Sequence, residues 1–443
     1  MKKLLVIGAV AAGTSAAAKA QRVDPELEIK VLAESQYISY GACGLPYFIG
    51  GLVAAKEKLL VRSIEDFARQ GIEVKNLCKA TEINLSEHKV VFRDLTQNRT
   101  FVEYYDKLII ATGARPVIFD WPGADKRGIF TLRTVNDGVN IKEYIKINRP
   151  RSVLIVGAGY IGLEMAENLS SLGLPVTLVE RDSQIAPSMD PGMALIIHEH
   201  LEQKGVKILV NQKISGFEGG ETVAGALTGS EIIPADFVLV SIGVRPNSEL
   251  AANAGIQLGA GHAIKVNSQM ETNIDDVYAA GDCATTTNLV TGEEVYIPMG
   301  TTANKQGRVA GENAAGGKAA FEGVLGTGIA RVFDLEISRT GMTEKECREK
   351  GFKFVSHTVK SRTAALPGYA GDVWVKIIAD EKTGRILGGQ IAGHSGAGKR
   401  IDTIATAITL GAGLKDVFDA DLAYSPPFSP VWDPVLVALN QFK

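Results

Sequence analysis

Two segments of the sequence repeat one pattern, in which an apolar run leads into a glycine turn and then into an alanine-rich run. The first, KKLLVIGAVAAGTSAAAKAQ, begins at Lys2, and the second, RSVLIVGAGYIGLEMAENLSSLG, begins at Arg151. Each then reaches another apolar run, at 29–32 and at 176–179. Strand, glycine turn, helix and strand in this order predict two βαβ units, which bury parallel strands beneath helices.

Length and charge narrow the class of protein. The chain has 443 residues, whereas single cores stop growing near ~250 to 300 residues, so we expect two or three domains. A net charge of −3 argues against a nucleic-acid backbone as partner. The 48 glycines suit a chain with many tight turns and close approaches of the backbone to ligands.

The N-terminus, with its basic start and apolar run, has some features of a secretory signal. The glycine turn and the helical pattern that follow favour a buried strand over 3–7 instead. No apolar run reaches the ~18 residues that a membrane span needs. We therefore expect a cytoplasmic protein with no membrane partner.

Clusters of proline and glycine at 112–122, 243–247 and 316–328 indicate the boundaries between domains. They divide the chain into 1–115, 116–244, 245–322 and 323–443, so that the second βαβ unit is inserted into the first domain. The predicted fold class is α/β, with two Rossmann-like dinucleotide-binding domains and an α+β C-terminal domain.

The second glycine turn carries a complete dinucleotide pattern. Gly157, Gly159 and Gly162 satisfy GxGxxG after a strand and before a helix, an arrangement that brings a bare backbone and a helix N-terminus against pyrophosphate. Glu180 ends the next strand, where an acid binds a ribose 2′-hydroxyl, and this favours NADH. Arg181 beside it leaves NADPH open.

The first glycine turn is imperfect, because Val10 stands between Gly8 and Gly13 where the second glycine should be. Glu34 is the acid after the second strand, although the acid of such units usually lies one place earlier. Support comes from VYAAGDC near residue 280, where a predicted strand delivers Asp282 after a glycine, a placement suited to binding a polyhydroxyl chain.

The motifs GAVAAG, ATGARP, GAGYIGLEMAE, SIGVRPN and VYAAGDC, in this order and over nearly the whole chain, resemble those of the two-dinucleotide flavoprotein disulfide reductases. The resemblance implies FAD on the first domain, NAD(P)H on the inserted one, and a C-terminal interface domain that forms a homodimer and completes each active site. Further cofactor-binding positions that we predict are Ala11, Ala12, Ser35, Ala80, Thr112, Gly113, Arg133, Tyr160, Ile161, Glu164, Gly243, Gly281, Gly300 and Ala303.

Cys43, in SYGACGLPYFIGG, identifies the branch of this superfamily. Members similar to glutathione reductase carry a CxxxxC pair, whereas here Phe48 stands five residues after Cys43. The segment resembles the single-cysteine branch of coenzyme A disulfide reductases, NADH polysulfide reductases, and NADH oxidases and peroxidases. Cys43 is thus the predicted redox centre, with a glycine-lined approach and a helix N-terminus as means of lowering its pKa.

The other thiols and the histidines predict little chemistry. The remaining cysteines, Cys78, Cys283 and Cys347, are widely separated and are interpreted as buried structural residues, with Cys283 placed near the cofactor by the preceding aspartate. The histidines offer no spacing typical of a metal centre, so we expect no metal.

Comparison within the branch favours sulfur substrates. Oxidases and peroxidases of the branch carry a histidine in the first glycine loop, and the matching residue here is Ala11. The tail LAYSPPFSPVWDPV resembles that of the coenzyme A disulfide reductases, in which a tyrosine of the partner subunit protonates a leaving thiolate; Tyr424 matches it. Two departures are Trp432, where those enzymes carry a substrate-contacting lysine, and Ala365-Leu366, where a second tyrosine is expected.

Charged residues of the first domain match the family's contacts to a bound thiol nucleotide. They are Lys19, Arg22 and Ser39, with Arg308 and Trp432 as further candidates for substrate contact. For Lys19 and Arg22, a solvated helix face is an equally good interpretation. Since the sequence ends at Lys443, we expect no fused rhodanese domain of the kind that some relatives carry.

The sequence therefore predicts an FAD-dependent NAD(P)H oxidoreductase that reduces a disulfide or polysulfide through Cys43, with Tyr424 as proton donor. NADH or NADPH is the electron donor and coenzyme A is a candidate bound thiol. An NADH oxidase is the first alternative, with oxygen as acceptor. A reductase for a ferredoxin or rubredoxin, which would not need Cys43, and a flavin-binding signalling or structural protein are the others.

Overall fold

The computed structural model describes residues 2–229 and 231–442. Its strands, in chain order, are β1 (Lys3–Ile7), β2 (Glu28–Leu32), β3 (Ile72–Lys75), β4 (Cys78–Asn84), β5 (Lys89–Asp94), β6 (Arg99–Tyr104), β7 (Lys107–Ile110), β8 (Ala114–Pro116), β9 (Ile129–Phe130), β10 (Val153–Val156), β11 (Val176–Val179), β12 (Lys207–Leu209), β13 (Ile214–Gly219), β14 (Val223–Thr228), β15 (Glu231–Pro234), β16 (Phe237–Val240), β17 (Val244–Pro246), β18 (Val277–Ala279), β19 (Thr286–Thr287), β20 (Glu294–Val295), β21 (Gly328–Val332), β22 (Leu335–Gly341), β23 (Phe354–Arg362), β24 (Asp372–Asp380) and β25 (Ile386–Gly393). Its α-helices are α1 (Ala11–Val23), α2 (Leu45–Ile49), α3 (Ile64–Ala68), α4 (Val135–Asn148), α5 (Tyr160–Ser171), α6 (Pro191–Gln203), α7 (Glu249–Asn253), α8 (Gly300–Ala314), α9 (Glu344–Glu349), α10 (Ile401–Leu410), α11 (Leu414–Phe418) and α12 (Pro434–Leu439).

The first sheet is parallel and runs in the order β18-β7-β1-β2-β3. Its central strand pairs Lys3 with Glu28 on one side and Leu4 with Lys107 on the other. Strands β1 and β7 are buried almost throughout, as expected where helices cover both faces of a parallel sheet. The predicted βαβ unit is thus confirmed, with α1 beginning at Ala11.

The second sheet, in the order β12-β11-β10-β16-β9, repeats this parallel design. The chain leaves the first sheet after β7 and returns to it only at β18. The outgoing strand β8 and the returning strand β17 pair antiparallel, with Arg115 opposite Arg245. Beside them, Thr112 Oγ1 donates to the Asn247 carbonyl at 2.6 Å and Asn247 Nδ2 donates to the Thr112 carbonyl at 2.9 Å. These bonds join the segment that leaves the first sheet to the segment that returns to it.

The C-terminal part forms an antiparallel sheet in the order β21-β22-β25-β24-β23. Strand β25 is buried at every position, and helices α10 and α12 pack against the sheet. This region therefore has its own apolar core. Among the helices of residues 2–229 and 231–442, none is both long and apolar enough to cross a bilayer.

Small residues bring α1 and α8 into close contact. A Cβ atom on Gly307 would collide with the Ala12 backbone, and one on Gly311 would collide with the Ala16 backbone. Glycine at these two positions lets the helix backbones touch. The packing places the start of α8 next to the first glycine turn.

Candidate active site

The second glycine turn has open space where a ligand would lie. A Cβ atom on Gly157 would lie 2.6 Å from the Ser241 carbonyl oxygen, and one on Gly162 would collide with the Gly157 carbonyl. By contrast, a Cβ built on Gly159 has no atom of residues 2–229 and 231–442 within 4 Å apart from those of its chain neighbours. The outer glycines are required by the protein's own backbone, whereas the middle one leaves room beside the N-terminus of α5. This geometry fits a pyrophosphate.

Glu180 is buried at the end of β11 and holds the same turn. Its Oε2 atom accepts the Ala158 N–H at 2.9 Å and its Oε1 atom accepts the Asp182 N–H at 3.1 Å. Each carboxylate oxygen keeps further acceptor capacity, as a ribose hydroxyl would require. Arg181 lies exposed beside it, with Nε 3.4 Å from Asp182 Oδ1.

The first glycine turn is closed by the protein backbone. A Cβ atom on Gly8 would collide with the Ala111 carbonyl, and one on Gly13 would collide with the Gly8 carbonyl. Val10 occupies the last position before α1. Three predicted cofactor-binding positions lie close together beside this turn. A Cβ atom on Gly281 would lie 2.7 Å from Ala12 Cβ and 3.4 Å from Ala303 Cβ.

Glu34, in contrast to Glu180, is exposed. It follows the buried Ala33 at the end of β2, and its Oε1 atom lies 2.8 Å from Lys79 Nζ. Ser35 Oγ accepts the Tyr37 N–H at 3.1 Å, which shapes the turn after the strand. The predicted Ala80 is on the adjacent strand β4.

Arg133 and Asp282 form a part-buried ion pair at 2.7 Å. Arg133 Nε also donates to the Ala114 carbonyl at 3.1 Å, so its side chain crosses the segment of Thr112 and Gly113. Arg133 directly precedes the capping box that starts α4. The pair thereby connects the inserted unit with the strand-end aspartate that we predicted at the flavin.

Other predicted cofactor-binding positions are placed by the same two units. Gly243 lies next to β17 in a left-handed conformation with φ +114°, Gly300 begins α8, and Ile161 is exposed on the first turn of α5. These positions lie at strand ends and helix starts, where ligands bind open parallel sheets.

Cys43 is exposed in a short turn, Ala42–Gly44, directly before α2. One helical turn later Phe48 is buried, and Lys142 of α4 both donates from Nζ to the Phe48 carbonyl at 2.9 Å and lies 4.4 Å from the centre of the Phe48 ring. The position of a second cysteine in the paired-cysteine enzymes is thus part of the core here. Cys43 is the one exposed cysteine of the described residues.

We predicted a lowered pKa for Cys43, but the protein groups around the thiol raise it. Burial raises the pKa of Cys43, although the residue retains solvent access, and the Glu164 and Asp282 carboxylates raise it further. Arg133 acts in the opposite direction but more weakly than Glu164. The helix after Cys43 has only five residues, so its dipole is small.

Two glutamates on one face of α5 face the segment that follows Cys43. Burial, with the neighbouring Glu167 carboxylate, raises the pKa of Glu164 to about 7. Burial and the same two carboxylates raise the pKa of Tyr47 to about 12, and the Tyr47 hydroxyl contacts Glu164. Glu167 lies 3.7 Å from Arg331 of β21.

Tyr160, at the start of α5, has a buried hydroxyl without a hydrogen-bond partner in the described part of the chain. A Cβ on Gly328 would lie 2.7 Å from this oxygen, so the ring packs closely against β21. Burial raises the pKa of Tyr160.

The predicted substrate residues of the first domain differ in their surroundings. Lys19 Nζ of α1 lies 2.9 Å from Glu312 Oε2 of α8, so this lysine joins two helices. Arg22 and Arg308 are exposed. Ser39 is buried with φ +46°, and its N–H donates to the Ala9 carbonyl at 2.8 Å, which ties the Cys43 segment to the first glycine turn.

The tail carries an exposed aromatic surface. Tyr424 is 50% exposed and Trp432 is 55% exposed, with Phe428 and Val431 more exposed still. Trp432 stacks on Phe418 with ring centres 5.6 Å apart. So much exposed apolar area on one short segment is typical of a surface that another chain covers.

The three remaining cysteines are buried, as predicted. Cys283 is fully buried, and its thiol donates toward the carbonyls of Ile110 and Ala280 at 3.4 Å. Burial raises the pKa of Cys283 and that of Cys347, the latter to about 12. Neither thiol is suited to nucleophilic attack.

Sequence reasoning missed residues that support the site from a distance. Gln306 is fully buried; its Oε1 accepts the Gly281 N–H at 2.8 Å and its Nε2 donates to the Thr285 carbonyl at 2.9 Å. The sequence did contain a signal for Gln306, because this polar residue lies among the small residues of α8. Lys142 had no such signal, because a single lysine on a helix usually faces solvent.

The comparisons with known proteins agree with this arrangement. Residues 2–307 match the family model "Pyridine nucleotide-disulphide oxidoreductase" and residues 329–434 match its dimerisation domain. The "NAD(P)H sulfur oxidoreductase (CoA-dependent)" of Pyrococcus furiosus is 39% identical over 100% of this chain and 99% of that protein, and the "NADH oxidase" of Methanocaldococcus jannaschii is 35% identical over 98% and 97%. The solved structure of reduced Bacillus anthracis CoADR-RHD has a TM-score of 0.97 at 36% identity, covering 100% of this chain and 80% of that one. The predicted family and fold class are thereby confirmed: the chain belongs to the pyridine nucleotide-disulphide oxidoreductases.

Proposed function

We propose that this chain is an FAD-dependent NAD(P)H oxidoreductase that reduces a disulfide or polysulfide through Cys43. One observation carries the proposal. Cys43 is exposed, and the charged groups that act on its thiol come from both nucleotide-type units, Arg133 and Glu164 from the inserted one and Asp282 from the first. A single accessible thiol between two nucleotide-type units is the arrangement that electron transfer from a dinucleotide to sulfur requires.

The residues present fit both cofactors. The first glycine turn, the Gly281–Ala303 contact and Asp282 would hold FAD in a domain formed by 1–115 and 245–322. The second turn and Glu180 would hold NADH or NADPH in 116–244. Bound FAD would accept a hydride from NAD(P)H and supply the electron pair that reduces the Cys43 mixed disulfide.

Cys43 supplies the nucleophile. Its thiolate attacks one sulfur of the substrate, a mixed disulfide forms, and the second sulfur leaves as a thiolate that takes up a proton. We assign that proton to Tyr424 of a second copy of this chain. Residues 323–443 would form the homodimer, and the exposed aromatic surface of the tail supports it. The cytoplasm, where thiols stay reduced, suits this chemistry.

Coenzyme A disulfide is the first substrate to test. Arg22 and Arg308 are exposed cations suited to the phosphates of a thiol nucleotide, whereas Lys19 already has Glu312 as a partner. Trp432 replaces the lysine that the resemblance led us to expect. We therefore include polysulfide and small disulfides as substrates.

The deciding experiment is anaerobic NAD(P)H consumption by the purified flavoprotein with each sulfur acceptor. Wild type should turn over at least one of them rapidly. Cys43→Ser should lose more than about 10³-fold of that turnover while it retains FAD, because the reaction requires a thiolate. Retained disulfide turnover in Cys43→Ser would refute the mechanism.

An NADH oxidase is the second candidate, and the likeness to a protein of that name favours testing it. Ala11 stands where oxidases and peroxidases of the branch have a histidine. Oxygen consumption with no turnover of any sulfur acceptor would establish this alternative. We expect oxygen turnover to be the slower reaction.

A further inference from the structure

We propose that Asp190, Lys376 and Gln390 form a latch that fixes the inserted unit, residues 116–244, on the C-terminal sheet of β21 to β25 in one orientation. Through that orientation the latch positions NAD(P)H for hydride transfer. Its members are positioning residues, because they act through the inserted unit and touch no reactant. The proposal rests on the proposed function, in which residues 116–244 hold NAD(P)H.

Asp190 directly precedes α6 and is 2% exposed. Its N–H donates to Gln390 Oε1 at 2.8 Å, and its Oδ2 atom accepts from Gln390 Nε2 at 2.7 Å. Lys376 Nζ lies 2.9 Å from the same Oδ2 atom, and the Glu344 N–H donates to Oδ1 at 3.1 Å. One residue of the inserted unit is thus held by β24, by β25 and by the start of α9.

The Asp190 side chain does not cap its own helix. An aspartate in this position usually accepts an N–H of the first helical turn. Within α6, all of whose residues the structure describes, no N–H bonds to this side chain, and Pro191 has no N–H to offer. The carboxylate is turned toward the C-terminal sheet instead. A residue that departs from a local rule in this way is expected to serve a purpose elsewhere in the molecule.

Lys376 lies within β24 and is 7% exposed, although lysine is seldom buried unless it is paired. Its Nζ atom lies 2.9 Å from Asp190 and 2.6 Å from Glu344 Oε1. Glu344 also contacts Arg348 at 2.6 Å and accepts from Ser356 Oγ at 2.6 Å. Two carboxylates and two cations thus balance. A rotation of the inserted unit would leave buried charges without partners, which is costly.

Apolar contacts alone would not fix the rotation of the inserted unit. Met193 of α6, Ile337 of β22 and Ala392 of β25 belong to one apolar cluster, but hydrophobic contact has no direction and tolerates sliding. The ion pair of Glu167 with Arg331 also crosses this boundary, yet the Arg331 side chain is 59% exposed and water screens the pair. A buried network of hydrogen bonds, by contrast, is satisfied in one geometry.

The segment that leads from β11 to the latch also contacts the second glycine turn. The Ala186 N–H donates to the Ala158 carbonyl at 3.0 Å, and the Ser188 carbonyl accepts from Arg339 Nη1 of β22 at 2.9 Å. One short segment therefore joins the turn proposed for the pyrophosphate to the C-terminal sheet. The paired strands β8 and β17 connect the inserted unit to the first unit. Two separate attachments thus set its orientation.

Hydride transfer depends steeply on the distance between the donor atom and the acceptor atom. In this step one proton and two electrons leave NAD(P)H together and arrive on the flavin. The reacting atoms must come within ~3.5 Å of each other, and a displacement of about 1 Å can lower the rate about a hundredfold. Rotation of the inserted unit would move NAD(P)H relative to the first unit and leave contacts within the inserted unit intact. Loss of the latch should therefore lower the rate of flavin reduction far more than the affinity for NADH.

The test is anaerobic stopped-flow reduction of the FAD-loaded protein by NADH, with no sulfur acceptor present. The variants are Gln390→Met, which removes both bonds to Asp190 at similar side-chain volume, and Asp190→Asn, which removes the charge that faces Lys376. Lys360→Gln is the matched control, because it breaks an exposed ion pair on the neighbouring strand β23. Hydrogen exchange in the nucleotide-free protein, read by mass spectrometry over residues 184–194 and 153–156, reports on the latch without any turnover.

Gln390→Met should lower the limiting rate of flavin reduction at saturating NADH by at least about tenfold and change the Kd for NADH by less than about threefold. Asp190→Asn should lower the limiting rate about three- to tenfold, because Lys376 keeps Glu344 as a partner. In Gln390→Met, exchange over 184–194 should quicken at least about tenfold, while 153–156 in the buried strand β10 keeps the wild-type rate. Lys360→Gln should match wild type in every measurement.

An unchanged limiting rate in Gln390→Met would overturn the proposal, and so would a loss of the same size in Lys360→Gln. A Kd for NADH that rises as much as the limiting rate falls would also overturn it, because the network would then act on binding. If Gln390→Met does not fold, the limiting rate of Asp190→Asn decides the matter. If the variants behave as expected but wild type reduces no sulfur acceptor, the latch stands and the proposed function fails.

Discussion

The glycine turn at residues 8–13 and the one at 157–162 share their outer glycines and differ in the middle. In both turns a Cβ atom on the last glycine would collide with the carbonyl of the first. The middle position is Val10 in one turn and Gly159 in the other, and only open space surrounds a Cβ built on Gly159. The outer glycines are required by the fold, and the middle one leaves room for a ligand.

The acids that follow the two turns differ in the same way. Glu180 is 7% exposed and accepts N–H groups of its own unit, whereas Glu34 is exposed and pairs with Lys79. The second unit therefore has a turn and an acid that hold each other in place. In the first unit, the corresponding support comes from α8, where Gln306 accepts the N–H of Gly281 and Gly281 packs against Ala12.

The largest effect is expected at the outer glycines. Gly13→Ala and Gly162→Ala each push a methyl group into a backbone carbonyl, at a cost of about 3 kcal/mol or more in the free energy of unfolding. Gly13→Ala should also lose FAD, measured by the flavin absorbance of the purified protein. Gly162→Ala should keep FAD and lose reduction of the flavin by NADH.

A matched control is Gly192→Ala, because in the described part of the chain a Cβ there has no atom within 4 Å beyond its own neighbours in the helix. It should stay within about 0.5 kcal/mol of wild type. Equal losses in Gly192→Ala and Gly162→Ala would show that the close backbone contact is not the cause.

The middle positions give a smaller effect that is confined to binding. Gly159→Val copies Val10 into the second turn, and its Cβ would have no other residue of the described part of the chain within 4 Å apart from its chain neighbours, so the melting temperature should stay within a few degrees of wild type. The valine would fill the space proposed for the pyrophosphate, and the KM for NADH should rise at least about tenfold, or ~1.4 kcal/mol. Stopped-flow reduction of the flavin measures it. An unchanged KM would place the nucleotide elsewhere.

The sequence allowed the two βαβ units, their glycine turns and the isolated Cys43 to be predicted, because strand and helix periods and turn glycines are local patterns. Whether a side chain in such a pattern is free to act is decided by distant residues. Lys19 is an example: its partner Glu312 is 293 positions away on α8, and no local pattern indicates that ion pair.

The Cys43 pKa shows the same limit. The residues next to Cys43 suggested a lowered pKa, but the charge that acts on it most strongly is Glu164, 121 positions later. The buried group of Asp190, Lys376 and Gln390, which ties α6 to the C-terminal sheet, likewise joins residues about 200 positions apart. Contacts of this range follow from the packing of whole units.

Glu180→Gln compares the two acids directly. The amide can accept one of the two backbone N–H groups but presents an NH₂ to the other, so we expect a loss of about 1 to 2 kcal/mol in the free energy of unfolding. NADH affinity should fall several-fold and the preference for NADH over NADPH should shrink. Denaturant unfolding and the ratio of kcat/KM values for the two nucleotides measure these effects. If the ratio of kcat/KM values for NADH and NADPH is the same in wild type and Glu180→Gln, then Glu180 has a structural role only.

Glu34→Gln should have the smallest effect. Glu34 and Lys79 are 62% and 52% exposed, and exposed ion pairs contribute ~0 to 1 kcal/mol. The free energy of unfolding should therefore change by less than about 0.5 kcal/mol, and Lys79→Gln, which breaks the same pair from the other side, should behave alike. After dilution into FAD-free buffer, the rate at which FAD dissociates from Glu34→Gln should exceed the wild-type rate by no more than about threefold. A tenfold faster release in Glu34→Gln but not in Lys79→Gln would show that the carboxylate itself holds the adenosine ribose, and the two acids would then differ in burial but not in role.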